Sequence, residues 1–128
     1  MDKKILVDKD IGEGRSLIEA LDRSSFNVVG ALWFYYSNLG EWRLLIASPL
    51  VDISGQRSCY QAIQSVIADM PQGFEISLER ISVLSPRDRL IQLLRIAIRT
   101  GTGLSTIRFT GNTINGVFIE DALIYRLS

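Results

Sequence analysis

Residues 28–49 read VVGALWFYYSNLGEWRLLIASP, and their pattern is the main indication of the fold class. Residues 28–36 are β-branched, aromatic or small and apolar, a composition that favours a strand. Turn residues follow at 37–40 and apolar residues return at 41–48, so the stretch predicts an antiparallel hairpin that ends at Pro49. Both alternating sets of side chains in residues 28–36 are apolar, which indicates a strand covered on both faces.

Three segments outside this hairpin have apolar residues at helical spacing, and they predict helices over about residues 14–24, 55–70 and 86–100. Ser85 and Pro86 suit the start of the third helix, with the serine as the N-cap and the proline in the first turn.

Two further segments are expected to complete the sheet. Residues 80–84 predict a short strand. Residues 105–110 and 117–127 predict a second hairpin, joined through a turn region at residues 111–116 that contains Asn115-Gly116. The expected fold class is therefore α+β, with residues 1–128 forming a single domain. It has one antiparallel or mixed sheet of about five strands, made of two hairpins and one strand, with three helices packed on it.

Charge and composition narrow the function classes. Fourteen basic residues balance fourteen acidic ones, so no net field draws the chain to nucleic acid or to a membrane surface. Cys59 is the only cysteine and histidine is absent, which excludes an intrachain disulfide and a Cys/His zinc site. No apolar run is long enough to cross a bilayer. These features favour a cytoplasmic protein without a cofactor.

A carboxylate-only metal site is the enzymatic alternative. Glu41, Asp52 and Glu120 could together hold the metal ion of a metal-dependent hydrolase or nuclease, but their spacing matches no ligand pattern. We therefore expect no metal site and name no catalytic residue.

Asp121 stands out because strict alternation places it on an otherwise apolar face of the last strand. A buried carboxylate needs a partner, and Arg108 on the preceding strand can lie diagonally across from it. The interpretation we favour is a structural ion pair between Arg108 and Asp121.

Arginines cluster between residues 80 and 108, where six of them accompany the single acid Asp88. Arg95 and Arg99 are four residues apart on the third predicted helix, and like charges at that spacing repel. Acidic residues of the first segment, from the same chain or a neighbour, are the favoured compensation. Weak anion or nucleic-acid binding is the alternative, and its candidate residues are Arg89, Arg95, Arg99 and Arg108.

Trp33, Tyr35 and Trp42 are either core residues or an exposed aromatic surface. A single layer of helices covers one face of a sheet, so the other apolar face would need a second copy of the chain. We therefore expect a homodimer, with these three aromatic residues as its first interface candidates.

Three segments carry a resemblance to a known family. GALWFYY at residues 30–36, EWRLLIASP at 41–49 and NGVFIEDALIYRL at 115–127 resemble a family of small uncharacterised bacterial proteins with no known activity. The resemblance implies a bacterial cytoplasmic protein and implies nothing about mechanism. Taken with the residue-level observations, the expected function is a non-enzymatic cytoplasmic interaction domain that works as a homo-oligomer.

Overall fold

The computed structural model describes residues 4–128. Within them the chain forms an α+β fold of four α-helices and one five-stranded sheet. No helix in this range has the length and hydropathy needed to cross a membrane. In chain order the elements are α1 (Asp8–Arg23), β1 (Gly30–Tyr36), β2 (Glu41–Ala47), α2 (Leu50–Ser54), α3 (Gln56–Ala68), a 3-10 turn (Leu78–Arg80), β3 (Ile81–Leu84), α4 (Arg89–Ala97), β4 (Ile107–Ile114) and β5 (Val117–Leu127).

The sheet has the strand order β3-β2-β1-β5-β4. Strands β2 and β3 are parallel, whereas the other neighbouring strands are antiparallel, so the sheet is mixed. The prediction that the sheet consists of two hairpins and one additional strand is confirmed. The second hairpin turns through Asn115 (φ 47°) and Gly116 (φ 81°), the two positive φ values that a type I′ turn requires.

Helices cover both faces of the sheet. Helices α1 and α3 pack on one face, where Leu17 and Ile63 meet Trp33 in the larger core cluster. Helix α4 packs on the other face, where its Ile91 and Leu94 join a second buried cluster. The prediction that β1 is covered on both sides is therefore confirmed. The expectation that the helices leave one face of the sheet uncovered is wrong, because α4 covers that face within the same chain.

Several element boundaries differ from the sequence predictions. Helix α1 begins at Asp8, six residues before the expected start, and acidic residues in its first turn favour that position. The five-residue helix α2 after Pro49 was not predicted. The turn of the second hairpin is shorter than expected, because β4 continues through Gly111 to Ile114.

The boundaries of α4 are a further correction. Its N-cap is Asp88, whose carboxylate accepts a hydrogen bond from the Leu90 amide at 2.9 Å, so Ser85 and Pro86 lie outside the helix. The helix ends at Ala97 because Ile98 is extended, with φ −137°. Arg99 is therefore not helical, and the repulsion expected between Arg95 and Arg99 along one helix does not arise.

A register shift interrupts the alternation of β5. It falls between Ala31 and Leu32 of β1, which pair with Arg126 and Ile124. Tyr125 consequently packs on the α1 side, whereas Leu127 packs on the α4 side. Strict alternation, which placed both residues on one face with Asp121, fails at this shift.

Candidate functional site

The three carboxylates considered for a metal site lie on separate elements. Glu41 begins β2 and has an oxygen 3.7 Å from an Arg43 nitrogen, whereas Asp52 on α2 accepts a hydrogen bond from the Ser85 hydroxyl at 2.8 Å. Glu41 is thus at the start of β2 and Asp52 lies beyond its other end, and the strand spans about 20 Å. Among residues 4–128, no group of three or more potential ligands is placed to hold a metal ion.

Arg108 and Asp121 lie diagonally across the β4–β5 pair, where Arg108 is directly opposite Leu123. The guanidinium donates through Nε and Nη2 to the two carboxylate oxygens, both at 2.7 Å. The Thr110 hydroxyl donates to the same carboxylate at 3.1 Å. This bonding to Asp121 raises the pKa of Arg108 above its ordinary value. Asp121 therefore neutralises the charge of Arg108 within the fold.

The structure divides the four arginines considered for an anion site. Arg108 lies over the Trp42 ring at 5.5 Å, on the sheet face that carries α1 and α3. Arg89 and Arg95 belong to α4, which packs on the opposite face. Arg95 is half-buried, with Nη1 3.5 Å from the Pro86 carbonyl. Together with the position of Arg99 beyond the helix, this placement means that the four do not form one surface.

The acidic first segment is paired with other arginines. Asp10 accepts two hydrogen bonds from Arg80, at 3.2 and 3.0 Å. Asp22 accepts two from Arg126, at 2.9 and 2.8 Å. Since α1 and α4 lie on opposite faces, the α1 acids do not compensate Arg95 within the chain.

The three aromatic interface candidates are core residues. Trp33 is fully buried, and Tyr35 and Trp42 are 7% and 6% exposed. Trp42 also donates its indole N–H to the Lys4 carbonyl at 2.9 Å. The proposed interface role is thus corrected, because the chain itself covers these side chains and they offer almost no surface to a second copy.

One edge of the sheet is closed by side chains. On β3, the Val83 amide donates to the Tyr60 hydroxyl at 2.9 Å. The Gln56 side chain donates to the Val83 carbonyl at 3.0 Å. Both groups come from α3, which lies beside this edge. The main-chain groups of Val83 are therefore already satisfied, and this edge offers little to an added strand.

The other edge, β4, is open. It is the last strand in the order, twice as long as β3, and no described strand lies beyond it. Because Ile114 and Val117 flank the two-residue turn, they form a hydrogen-bonded pair, and alternation directs the main-chain groups of Phe109 and Thr113 outward. Gly111, with φ 61°, kinks the strand. The amide side chain of Asn112 donates to the Thr110 carbonyl at 2.9 Å, and among residues 4–128 this is the one side-chain bond to a β4 main-chain group.

Apolar side chains are exposed near this open edge. Val117 and Phe118 begin β5 directly after the turn and are 47% and 61% exposed. The sequence contained these residues, but it did not indicate that β4 is an edge. Strand order depends on long-range pairing, which no local pattern encodes.

Comparisons with known proteins assign neither a family nor a function to the chain. No protein-family model matches the chain, and no curated protein or solved structure matches it. The resemblance of three segments to small bacterial proteins therefore stays an expectation. The open β4 edge is the candidate functional site that the structure itself supplies.

Proposed function

We propose that this chain is a non-enzymatic interaction domain that forms a homodimer through the edge strand β4. Two copies would align their β4 strands antiparallel about a twofold axis, giving a continuous ten-stranded sheet. Such an interface uses the same surface on both copies and is therefore closed. The lone buried cysteine, Cys59, is compatible with a reducing cytoplasm, where we place the protein.

The difference between the two sheet edges carries this proposal. Val83 on β3 has both main-chain groups bonded by α3 side chains, whereas no side chain of the described residues 4–128 bonds an outward main-chain group of β4 in this way. An uncovered edge is a ready template for another strand, and proteins usually block it with lysine, proline or a covering element. Strand β4 contains neither lysine nor proline.

The side chains of β4 are compatible with self-pairing. Its sequence, IRFTGNTI, has β-branched or aromatic residues at five of eight positions, and Arg108 is its one charged residue. Because Arg108 is neutralised by Asp121, two antiparallel β4 strands would not repel each other strongly. The exposed Val117 and Phe118 would lie beside the new contact and could become buried with it.

The test is the mass in solution of the wild-type chain and of a charged edge variant. We expect the wild type to give about twice 14.4 kDa by light scattering after size-exclusion chromatography at micromolar concentration. The double substitution Asn112→Lys with Thr113→Lys adds like charges to an exposed part of the edge, so it should give a monomer. The matched control is Gln61→Lys with Gln64→Lys, which adds the same charge on an exposed face of α3 and should remain dimeric.

Hydrogen exchange locates the contact. Outward amides of β4, such as those of Phe109 and Thr113, should exchange more slowly at high protein concentration than at low concentration. A wild type that is monomeric across the micromolar range overturns the proposal. So does a dimer that survives the edge substitutions without change.

A further inference from the structure

Helix α4 has an unusual outward face. Ile91 and Leu94 point into the core and are fully buried. A surface helix normally has its apolar residues on this inner side and polar residues on the outer side. The outward side nevertheless carries Ile96, which is 62% exposed, and the half-buried Leu93 lies between this side and the core. Residues 89, 92, 93 and 96 have the spacing i, i+3, i+4 and i+7, so they form one stripe along the helix. The stripe therefore combines an arginine, an amide and two aliphatic side chains, of which Ile96 is exposed.

A shallow, open groove of about 330 Å³ lies over this stripe. Its lining combines two arginines, one amide and two aliphatic side chains, and it contains no acidic residue: Arg87, Arg89, Gln92, Leu93 and Ile96.

The two arginines in the groove do not form ion pairs within the described part of the chain. Arg87 and Arg89 are exposed, and neither forms an ion pair with any residue from 4 to 128. The acid next to them, Asp88, accepts a hydrogen bond from the Leu90 amide as the N-cap of α4 and forms no ion pair with either arginine. By contrast, Arg80, Arg108 and Arg126 each form a two-pronged bond to a carboxylate. The groove thus carries two arginines beside the single carboxylate of Asp88, and no carboxylate of residues 4–128 forms an ion pair with either arginine.

We infer that the outward face of α4 docks an acidic peptide segment of a partner protein, one that carries an aliphatic side chain between its carboxylates. The carboxylates would pair with Arg87 and Arg89, whose guanidinium groups suit that geometry. The aliphatic side chain would cover Ile96 and Leu93. This surface is separate from the β4 edge, so occupation of the two sites can be distinguished.

The composition of the groove favours a peptide over a nucleic acid. Phosphate backbones are bound by several basic side chains in a row, often with aromatic side chains on which bases stack. The lining of this groove has two arginines, no aromatic residue and the exposed Ile96. Apolar side chains next to arginines are typical of protein interfaces.

The experiment measures binding of labelled probes by fluorescence anisotropy. The first probe is a twelve-residue peptide of glutamate and leucine, with the leucines three or four residues apart so that they lie on one face of a helix. The second probe has serine in place of each leucine. The third is a twelve-nucleotide single-stranded DNA. We expect the glutamate-leucine peptide to bind at least about ten-fold more tightly than either of the others, since a buried apolar anchor commonly contributes that much to an interface.

Substitutions at exposed positions test the location with little risk to folding. Ile96→Ser and Arg89→Ser should each weaken binding of the first peptide by about ten-fold. Ile53→Ser is the matched control for an exposed isoleucine, 77% exposed on α2, and Arg57→Ser is the control for an exposed arginine on α3. Both controls should bind as the wild type does.

Several results would overturn the inference. One is the absence of binding of the first peptide at millimolar concentration. Equal binding of the DNA or of the serine peptide would indicate a general anion surface instead. Equal weakening by Ile53→Ser and Ile96→Ser would place the peptide elsewhere. The oligomeric state of Ile96→Ser should equal that of the wild type, so failure here and failure of the β4 proposal remain separate.

Discussion

The indole nitrogen of Trp33 on β1 donates a hydrogen bond to the hydroxyl of Tyr125 on β5, at 3.1 Å. The same hydroxyl donates to the carbonyl of Ile11 in α1, at 2.5 Å. Trp33 and Tyr125 are both fully buried in the cluster beneath α1 and α3. A short polar chain therefore fixes α1 to the sheet inside an otherwise apolar layer, and its members depend on one another for hydrogen bonding.

Tyr125→Phe should destabilise the fold by about 2 kcal/mol, because it leaves the buried Trp33 N–H without an acceptor and removes the donor to Ile11. The free energy of unfolding, measured in urea, gives the value. Tyr36→Phe is the control, since the Tyr36 side chain is half-buried and takes no part in this chain of bonds. A loss no larger than that of the control would contradict the assigned role of the hydroxyl.

The same hydroxyl should make stability depend on alkaline pH. Burial raises the pKa of Tyr125 from 10.0 to about 12. A raised folded-state pKa means that the stabilisation is present below pH 10 and is lost as the pH rises toward 12, by up to about 3 kcal/mol. Urea unfolding between pH 9 and pH 11.5 should show a steeper fall for the wild type than for Tyr125→Phe. Parallel curves for the two proteins would refute this.

Gly14 marks the point where α1 comes closest to the sheet. A Cβ at this position would lie 2.5 Å from the Tyr125 hydroxyl and 2.8 Å from the Trp33 indole nitrogen. Gly14→Ala should therefore destabilise the protein, by about 2 kcal/mol, through steric overlap in the core.

Gly12 on the same helix supplies the matched control, since a Cβ there meets nothing within 4 Å. Gly12→Ala should raise the midpoint of thermal unfolding, corresponding to about 0.5–1 kcal/mol, because alanine restricts the unfolded chain and favours the helix. Similar effects of the two substitutions would contradict the close approach at Gly14.

The Arg108–Asp121 pair should be coupled energetically. Asp121 is 1% exposed, whereas the Arg108 side chain is 47% exposed, so water reaches one partner only. Arg108→Ala leaves a buried carboxylate held by the Thr110 hydroxyl, and we expect a loss of about 1–2 kcal/mol, below that of a fully buried pair. Arg57→Ala on α3 should change stability by less than about 0.5 kcal/mol. A double-mutant cycle with Asp121→Asn that gave no coupling would count against the pair.

Local patterns in the sequence predicted the elements well and their assembly poorly. Alternation identified residues 28–36 as a strand covered on both sides, and that is confirmed. Alternation also drew attention to Asp121, which the structure places in contact with Arg108. The same rule failed at Leu127, since the register shift between β1 and β5 has no signature in either strand alone.

Burial was harder to predict, because it depends on which face of the sheet each helix covers. The homodimer was expected on the assumption that three helices lie on one face, but the chain after β3 carries α4 to the other face. Trp33, Tyr35 and Trp42 then became core residues, and the open surface moved to β4 and to the outward side of α4. Which face a helix covers depends on the path of the connections, and amphipathic spacing alone does not reveal it.

Tyr60 should protect the β3 edge, because its hydroxyl accepts the hydrogen bond from the Val83 amide. Tyr60→Phe removes that acceptor and leaves the amide unpaired at a partly covered edge, at an expected cost of about 1 kcal/mol. Amide exchange of Val83 should become faster, whereas exchange in β1 at the centre of the sheet should follow the global stability. Gln56→Ala is the companion variant, since it uncovers the carbonyl of Val83 and leaves its amide bonded to Tyr60. Unchanged exchange of Val83 in Tyr60→Phe would mean that the helix backbone, and not the tyrosine hydroxyl, closes this edge.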